Sequence, residues 1–303
     1  MAEMQESPES PRSRQLVSSG RADRLALVWR RLMRRPVAVI SLIVCALALI
    51  VGVVGPWITP YDPFLVDILS RLEGPSLAHP FGKDQIGRDL LSRVIYGTRL
   101  TLALGVISVS IAVVVGVILG LASGGYGGYV DTIIMRLADL MLALPYFLLA
   151  LTLVAAMGPG YRNSVIAISI WMIPHFTRVV RGQVLSLRET EFVQAAHAIG
   201  ETRRSILIRY LLPNCLSPII VQTTLYLPRA IMLGAALGFL GLSLQPPIPE
   251  WGVLIANSRE YMVTAPHVLI FPAVTLLMVS LAFNLLGDSL RDIFDPRLQD
   301  MVR

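Results

Sequence analysis

Val37 to Ile58 reads VAVISLIVCALALIVGVVGPWI, an apolar run without a single charged residue. A helix rises about 1.5 Å per residue, so about 20 such residues cover roughly 30 Å of hydrocarbon. No water is available there to the peptide groups, and a helix is the form that satisfies them within one segment. Five further stretches fit the same template: Leu100 to Ala122, Thr132 to Met157, Ser164 to Leu185, Ser217 to Leu240 and Val268 to Gly287. Pro174, His175 and Arg178 interrupt the fourth span of the six, which a kinked helix buried among others tolerates. The predicted fold is an all-α integral membrane protein with six transmembrane helices.

Composition agrees. Of 303 residues, 54% are apolar and 15% charged, against about 25% charged in soluble domains. The net charge of +6 does not point to nucleic acid, because Lys83 is the sole lysine and the arginines cluster at the edges of apolar runs. Arg30, Arg31, Arg34 and Arg35, then Arg188, Arg203, Arg204 and Arg209, then Arg291 and Arg297 fall on one side when the spans alternate. The positive-inside rule makes that side, with both termini, cytoplasmic. Cys45 and Cys215 fall in or beside apolar segments, where cysteine serves as a small hydrophobe.

The expected layout is a polar, disordered cytoplasmic tail over 1–36, a first anchor over 37–58 and an extracytoplasmic loop over 59–99. A transmembrane core follows over 100–288 with a cytoplasmic loop at 186–213, and then a cytoplasmic tail over 289–303. The first apolar run is too long for a signal-peptide core and is expected to stay as an anchor. Within the outer loop, Ile86, Leu90, Leu91, Val94 and Ile95 form an apolar face opposite Arg88, Asp89 and Arg93, which predicts a helix along the membrane surface. Gln245 to Pro266, with Pro246, Pro247, Pro249 and Trp251, reads either as an ordered hairpin re-entering the interface or as a plain loop anchored by Trp251.

Between the fourth and fifth spans lies SLRETEFVQAAHAIGETRRSILIRYLLP, Ser186 to Pro213, too charged to insert and too apolar to be disordered. Phe192, Val193, Ala196 and Ile199 recur at helical spacing. Gly200 sits where a left-handed turn would end that helix, Thr202 with Ser205 can cap a second, and Pro213 is expected to break the chain before the fifth span. Two short helices are predicted, lying across the inner face as a docking surface. Gln194, Ala195 and Ala196, three residues, Gly200, nine residues, then Tyr210, Leu211, Leu212 and Pro213 resemble the EAA loop of ABC importer permeases. Gln194 stands where that pattern has Glu, and Tyr210 where it has Ile.

HPFGKDQIGRDLLSRVIYGTRLTL (His79 to Leu102), FLGLSLQPPIPEWG (Phe239 to Gly252) and FNLLGDSLRDIFDPRL (Phe283 to Leu298) are similar to the second permease subunit of dipeptide, oligopeptide, glutathione and nickel importers. The resemblance implies a type I ABC importer permease in a bacterial inner membrane, surrounded by lipid and paired with a second, related permease. It also implies two separate ATP-binding subunits, an extracytoplasmic substrate-binding protein and a peptide-like substrate, with glutathione or nickel chelates as the alternative. The implied ATPase-coupling residues are Gln194, Ala195, Ala196, Gly200, Arg203, Leu212 and Pro213.

The residues themselves explain the need for partners. A phosphate-binding loop requires Lys followed by Ser or Thr, whereas Lys83 is followed by Asp84. No grouping of nucleophile, base and orienting residue points to an enzyme, and His79, His175, His197 and His267 are too scattered for a metal site. No cofactor is expected. Gly116 with Gly120, and Gly234 with Gly238, are spaced for close helix packing, and Arg136 with Asp139 for an ion pair. Arg229, deep in the fifth span, is expected to face either the solute pathway or the partner permease. The rival class, an ion-coupled secondary transporter, calls for internal repeats and acids deep within the spans, and neither is evident.

Overall fold

The computed structural model describes Met33 and residues 35–294, so most of the expected tails at 1–36 and 289–303 lies outside the described residues. The helices are α1 (Pro36–Ile58), α2 (Leu90–Tyr126), α3 (Gly128–Ala143), α4 (Tyr146–Met157), α5 (Tyr161–Leu187), α6 (Glu191–Ala198), α7 (Arg203–Phe239), α8 (Trp251–Asn257) and α9 (His267–Phe294). Four of them, α1, α2, α7 and α9, are long and apolar enough to cross a membrane. The third expected span is two helices, α3 and α4, bent by 96° at Leu144 and Pro145. Proline disfavours helical geometry in the residue before it, and Leu144 is extended, so a single straight span from Thr132 to Met157 is not formed. Helix α5 covers the fourth expected span, but its polar residues keep it below the hydropathy of the other four.

The second span begins ten residues earlier than its apolar run suggests, and the predicted surface helix does not exist as a separate element. Asp89 caps α2 by accepting from the Ser92 amide at 2.7 Å, and the chain is helical from Leu90 onward. Leu90 and Val94 pack into a cluster with Cys45, Trp251 and Phe283 instead of onto lipid. At the other end, α9 continues through the first residues of the expected C-terminal tail, and Asp292 pairs with Arg35 beside the start of α1 at 2.6 Å.

The centre of the bundle is the seam between α2 and α5. Gly116, Gly120 and Gly124 recur every four residues and face Phe176, Val180 and Val184, which recur likewise. A Cβ on Gly120 would sit 2.7 Å from Val180 Cβ and 2.8 Å from the Thr177 carbonyl, so the two backbones meet with no room for a side chain between them. Gly234 and Gly238, the other pair read as packing positions, leave space for Leu104 and for the carboxyl of Glu250.

Candidate functional site

The segment Ser186 to Pro213 is built from the end of α5, the short helix α6 and the first turns of α7. Val193 and Ala196 are buried against Val180 and Val184 of α5 and Ile206, Leu207 and Leu211 of α7, and burying one such valine stabilises by roughly 1.5–3 kcal/mol. The other side of α6, with Phe192, Gln194, Ala195 and Ile199, is exposed. Gln194 turns back to donate to the Glu189 carbonyl at 3.1 Å.

Gly200 ends α6 with φ +85°, the Gly200 amide donating to His197 and the Glu201 amide to Ala196. That pair of bonds is a Schellman cap, and it needs the left-handed conformation glycine adopts without strain. Thr202 then caps α7 by accepting from the Ser205 amide at 3.3 Å. Ser205 is the donor in this cap and not a second capping side chain. Arg203 and Arg204 are exposed in the first turn of α7.

Pro213 does not break the chain. Ile206 to Leu211 widen into a π-helical stretch, and the helix runs on through Leu212 and Pro213 to Phe239. The wider turn removes the demand for the backbone hydrogen bond that Pro213 cannot make. Instead of two short helices, one short helix is hinged at Gly200 to a 37-residue helix that is roughly 55 Å long. A cavity of about 300 Å³ lies between this hinge region and the end of α2, lined by Tyr126, Arg188, Val193, His197, Arg203 and Leu207 among others.

The opposite end of the bundle is tied by polar contacts. Arg93, expected on a solvated face, is fully buried. Its guanidinium donates to the Pro63 carbonyl at 2.8 Å and the Pro247 carbonyl at 3.2 Å, and its Nε lies 3.4 Å from Asp84. Asp84 in turn accepts from Arg88 at 2.7 Å, while His79 meets Asp89 at 2.8 Å. Lys83 bridges Ser70 and Asp67, and the hydrogen bonds from Ser70 and Lys83 hold the Asp67 carboxyl below the usual carboxylate range. Trp251 is fully buried and donates its indole N–H to the Val94 carbonyl at 3.0 Å. Gln245 to Pro266 is therefore packed onto the bundle through Trp251 and is not a plain surface loop. Beside Trp251, Glu250 is buried against Gly238; loss of hydration pushes its carboxyl up to about 7, although the Gly252 and Val253 amides bond to it.

Between the two ends, α5 and α7 present a polar and aromatic stripe. Trp171 packs against Tyr146 of α4 at 5.2 Å, His175 sits 5.7 Å from Trp171 and 4.9 Å from Tyr226 of α7, and Arg229 lies over the Tyr226 ring at 4.8 Å. One turn further along α5, Arg178 pairs with Asp139 of α3 at 2.5 Å. Asp139 therefore spends its charge across helices and not on Arg136, because the packing of α3 on α5 brings the guanidinium closer than the i,i+3 neighbour. Arg181 makes a two-bond contact with Asp131 at 2.5 and 2.6 Å. Among the described residues no three His, Cys, Asp or Glu gather into a metal-binding group.

Residues 112–300 match the family described as binding-protein-dependent transport system inner membrane component, and residues 24–75 match the N-terminal TM domain of oligopeptide transport permease C. The chain is 42% identical over 271 residues to the dipeptide transport system permease protein DppC of Alkalihalophilus pseudofirmus, covering 89% of each chain. It is 43% identical over 272 residues to the glutathione transport system permease protein GsiD of Pectobacterium atrosepticum, covering 89% of this chain and 90% of that one. A probable D,D-dipeptide transport system permease protein, DdpC of Escherichia coli, is 41% identical over 271 residues, covering 89% and 91%. Among solved structures, the inward-facing MetNI methionine ABC transporter superposes with TM-score 0.53 at 18% identity, covering 67% of this chain and 96% of that one. That likeness concerns the fold alone.

Proposed function

We propose, for a chain that belongs to the binding-protein-dependent transport system inner membrane components and within them to the dipeptide and oligopeptide permease type, a role as one of two permeases enclosing a path for di- and oligopeptides. As a member it is a multi-pass membrane permease with ATP hydrolysis residing in separate subunits. Six spans are proposed, with α3 and α4 together forming one broken span and α5 another. Both termini lie in the cytoplasm, the Gly200 end of the bundle faces that side, and the Trp251 end faces the binding protein.

The hinged pair of α6 and α7 carries the reading. In the proposed mechanism two ATP-binding subunits grip the exposed side of α6, at Gln194 and Ala195, with Arg203 at the rim. Ala196 anchors α6 to the bundle, and the Gly200 turn joins it to α7. Displacement of α6 then moves α7 as a rod through Leu212 and Pro213 into the spans, exchanging inward for outward access. Support comes from the buried seat of Val193 and Ala196, which packs α6 against α5 and α7. A second reading, glutathione as cargo, is favoured by the GsiD relatives at 43% and 44% identity.

The test is reconstitution. Proteoliposomes holding this permease, its partner permease, both ATP-binding subunits and the binding protein are expected to accumulate dipeptide only with ATP. Accumulation against a gradient by this chain alone would overturn the reading.

A further inference from the structure

The exposed surface of the bundle is divided by chemistry. Exposed residues of α1 (Ile43, Ile50, Val53) and α9 (Val274, Leu277, Leu281) are apolar, as lipid requires. The stripe along α5 and α7 is different. Trp171, His175 and Arg178 follow one another at helical spacing on a single face of α5, with Tyr226 and Arg229 beside them on α7. Arg229 lies ten residues, roughly 15 Å, along α7 from Phe239, well inside the hydrocarbon depth. Arg229 is exposed at that depth, and Arg178 with Asp139, nearer the Gly200 end, are about half exposed. A charge turned to lipid at that depth is strongly unfavourable, so this face meets water or another polypeptide.

Arg229 is the charge on this stripe without a counterion. Arg178 has Asp139 and Arg181 has Asp131, whereas no carboxylate among the described residues pairs with Arg229, which instead rests on the Tyr226 ring. A guanidinium in that setting is a docking point for a carboxylate supplied from outside the chain, and it offers a planar fork of donors to it. Beneath it the rings of Tyr226, His175, Trp171 and Tyr146 form a row with neighbouring centroids 4.9–5.9 Å apart, in which Trp171 and Tyr226 are buried, His175 is half-buried and Tyr146 is exposed.

We propose that Arg229, seated on the buried Tyr226 ring with the exposed Tyr146 at the far end of the same aromatic row, forms a transit site in the solute pathway that receives the free α-carboxylate of a peptide. The proposal rests on the importer reading above and adds to it the chemistry of the passing solute. A carboxylate is common to peptides and glutathione, so one site serves both readings of the cargo.

The test uses the complete importer in proteoliposomes, with Cys45→Ala and Cys215→Ala in this chain and Tyr146→Cys at the exposed end of that aromatic row. A water-soluble, charged thiosulfonate is expected to label the new thiol. Trialanine is expected to slow labelling at concentrations about tenfold lower than trialaninamide, as fits one charge-assisted contact. Arg229→Gln should abolish that difference, while Arg229→Lys should keep part of it. Equal protection by acid and amide, or a thiol that the reagent never reaches, would overturn the proposal. ATP-driven uptake measured on the same unmodified complex separates the two claims: if uptake persists while acid and amide protect alike, the transit site alone falls, and if no ATP-driven uptake occurs, the importer reading falls first.

Discussion

Arg93 and Pro247, 154 residues apart in sequence, are joined by a hydrogen bond of 3.2 Å from a guanidinium that is fully buried. The same side chain reaches the Pro63 carbonyl at 2.8 Å. One residue at the start of α2 thus fastens both the loop preceding that helix and the proline-rich turn before α8, and gives the Trp251 end of the bundle its rigidity.

Arg93→Ala should therefore be among the most destabilising single changes in the chain. It leaves Asp84 with Arg88 as its remaining cation and the Pro63 and Pro247 carbonyls without this donor. The expected loss is about 3 kcal/mol or more, in line with removal of one member of a buried ionic network. Thermal unfolding of the purified protein in detergent reads this as a lower Tm, and limited proteolysis should cut within 59–89. A Tm equal to that of the unaltered chain would show that the tie carries no stability.

Gly120→Leu tests the seam of α2 and α5. Its Cβ would meet Val180 and the Thr177 backbone at under 3 Å, and backbone cannot rotate away. The cost is expected to exceed about 3 kcal/mol, beyond the usual range for overpacking, and should appear as failure to recover folded protein. Gly120→Ala should be intermediate.

Gly200→Val separates fold from function. Nothing lies within 4 Å of a Cβ at this position, but φ is +85°, so the penalty is backbone strain of about 1–2 kcal/mol. The variant is expected to remain in the membrane and lose most ATP-driven uptake, because the angle between α6 and α7 changes. Full uptake by membrane-inserted Gly200→Val would separate the turn from coupling.

Glu250 predicts a pH dependence with a definite sign. Its folded-state carboxyl lies near 7 against an ordinary value of 4.5, so between those values the folded chain holds a proton that the unfolded chain releases. Stability therefore falls as pH rises across that window and levels off above it, by on the order of 3 kcal/mol at most. Glu250→Gln keeps the acceptor for the Gly252 amide and removes the titration. Its Tm should exceed that of the unaltered chain at pH 8 and approach it at pH 5; a constant difference across pH would rule out this origin.

The inner-face segment was largely legible, and the outer end was not. Gly200 as a left-handed stop and Thr202 as a cap depend on neighbours a few residues away, and both are found as read. Pro213 and Pro145 depart from the sequence expectation in opposite directions. The first is absorbed by a π-helical stretch that only the packing of Leu207 and Leu211 reveals, while the second breaks a run whose apolarity suggested continuity. Arg93 reads as a solvated charge because helical periodicity cannot tell water from carbonyls supplied by distant loops. Arg229 was singled out from its depth alone, but its seat on Tyr226 needed the structure.

Sequence by itself determined that this chain lives in a bilayer and which family it resembles, since the length of an apolar run, the placement of arginine and a local turn signature are properties of contiguous residues. Tertiary structure decided which charges are buried, where α2 begins, how the α3–α4 span bends, and which exposed face is polar. Those outcomes depend on partners tens to hundreds of residues away, such as Pro247 for Arg93 and Arg178 for Asp139, and the free energy of a buried polar group is set by what surrounds it.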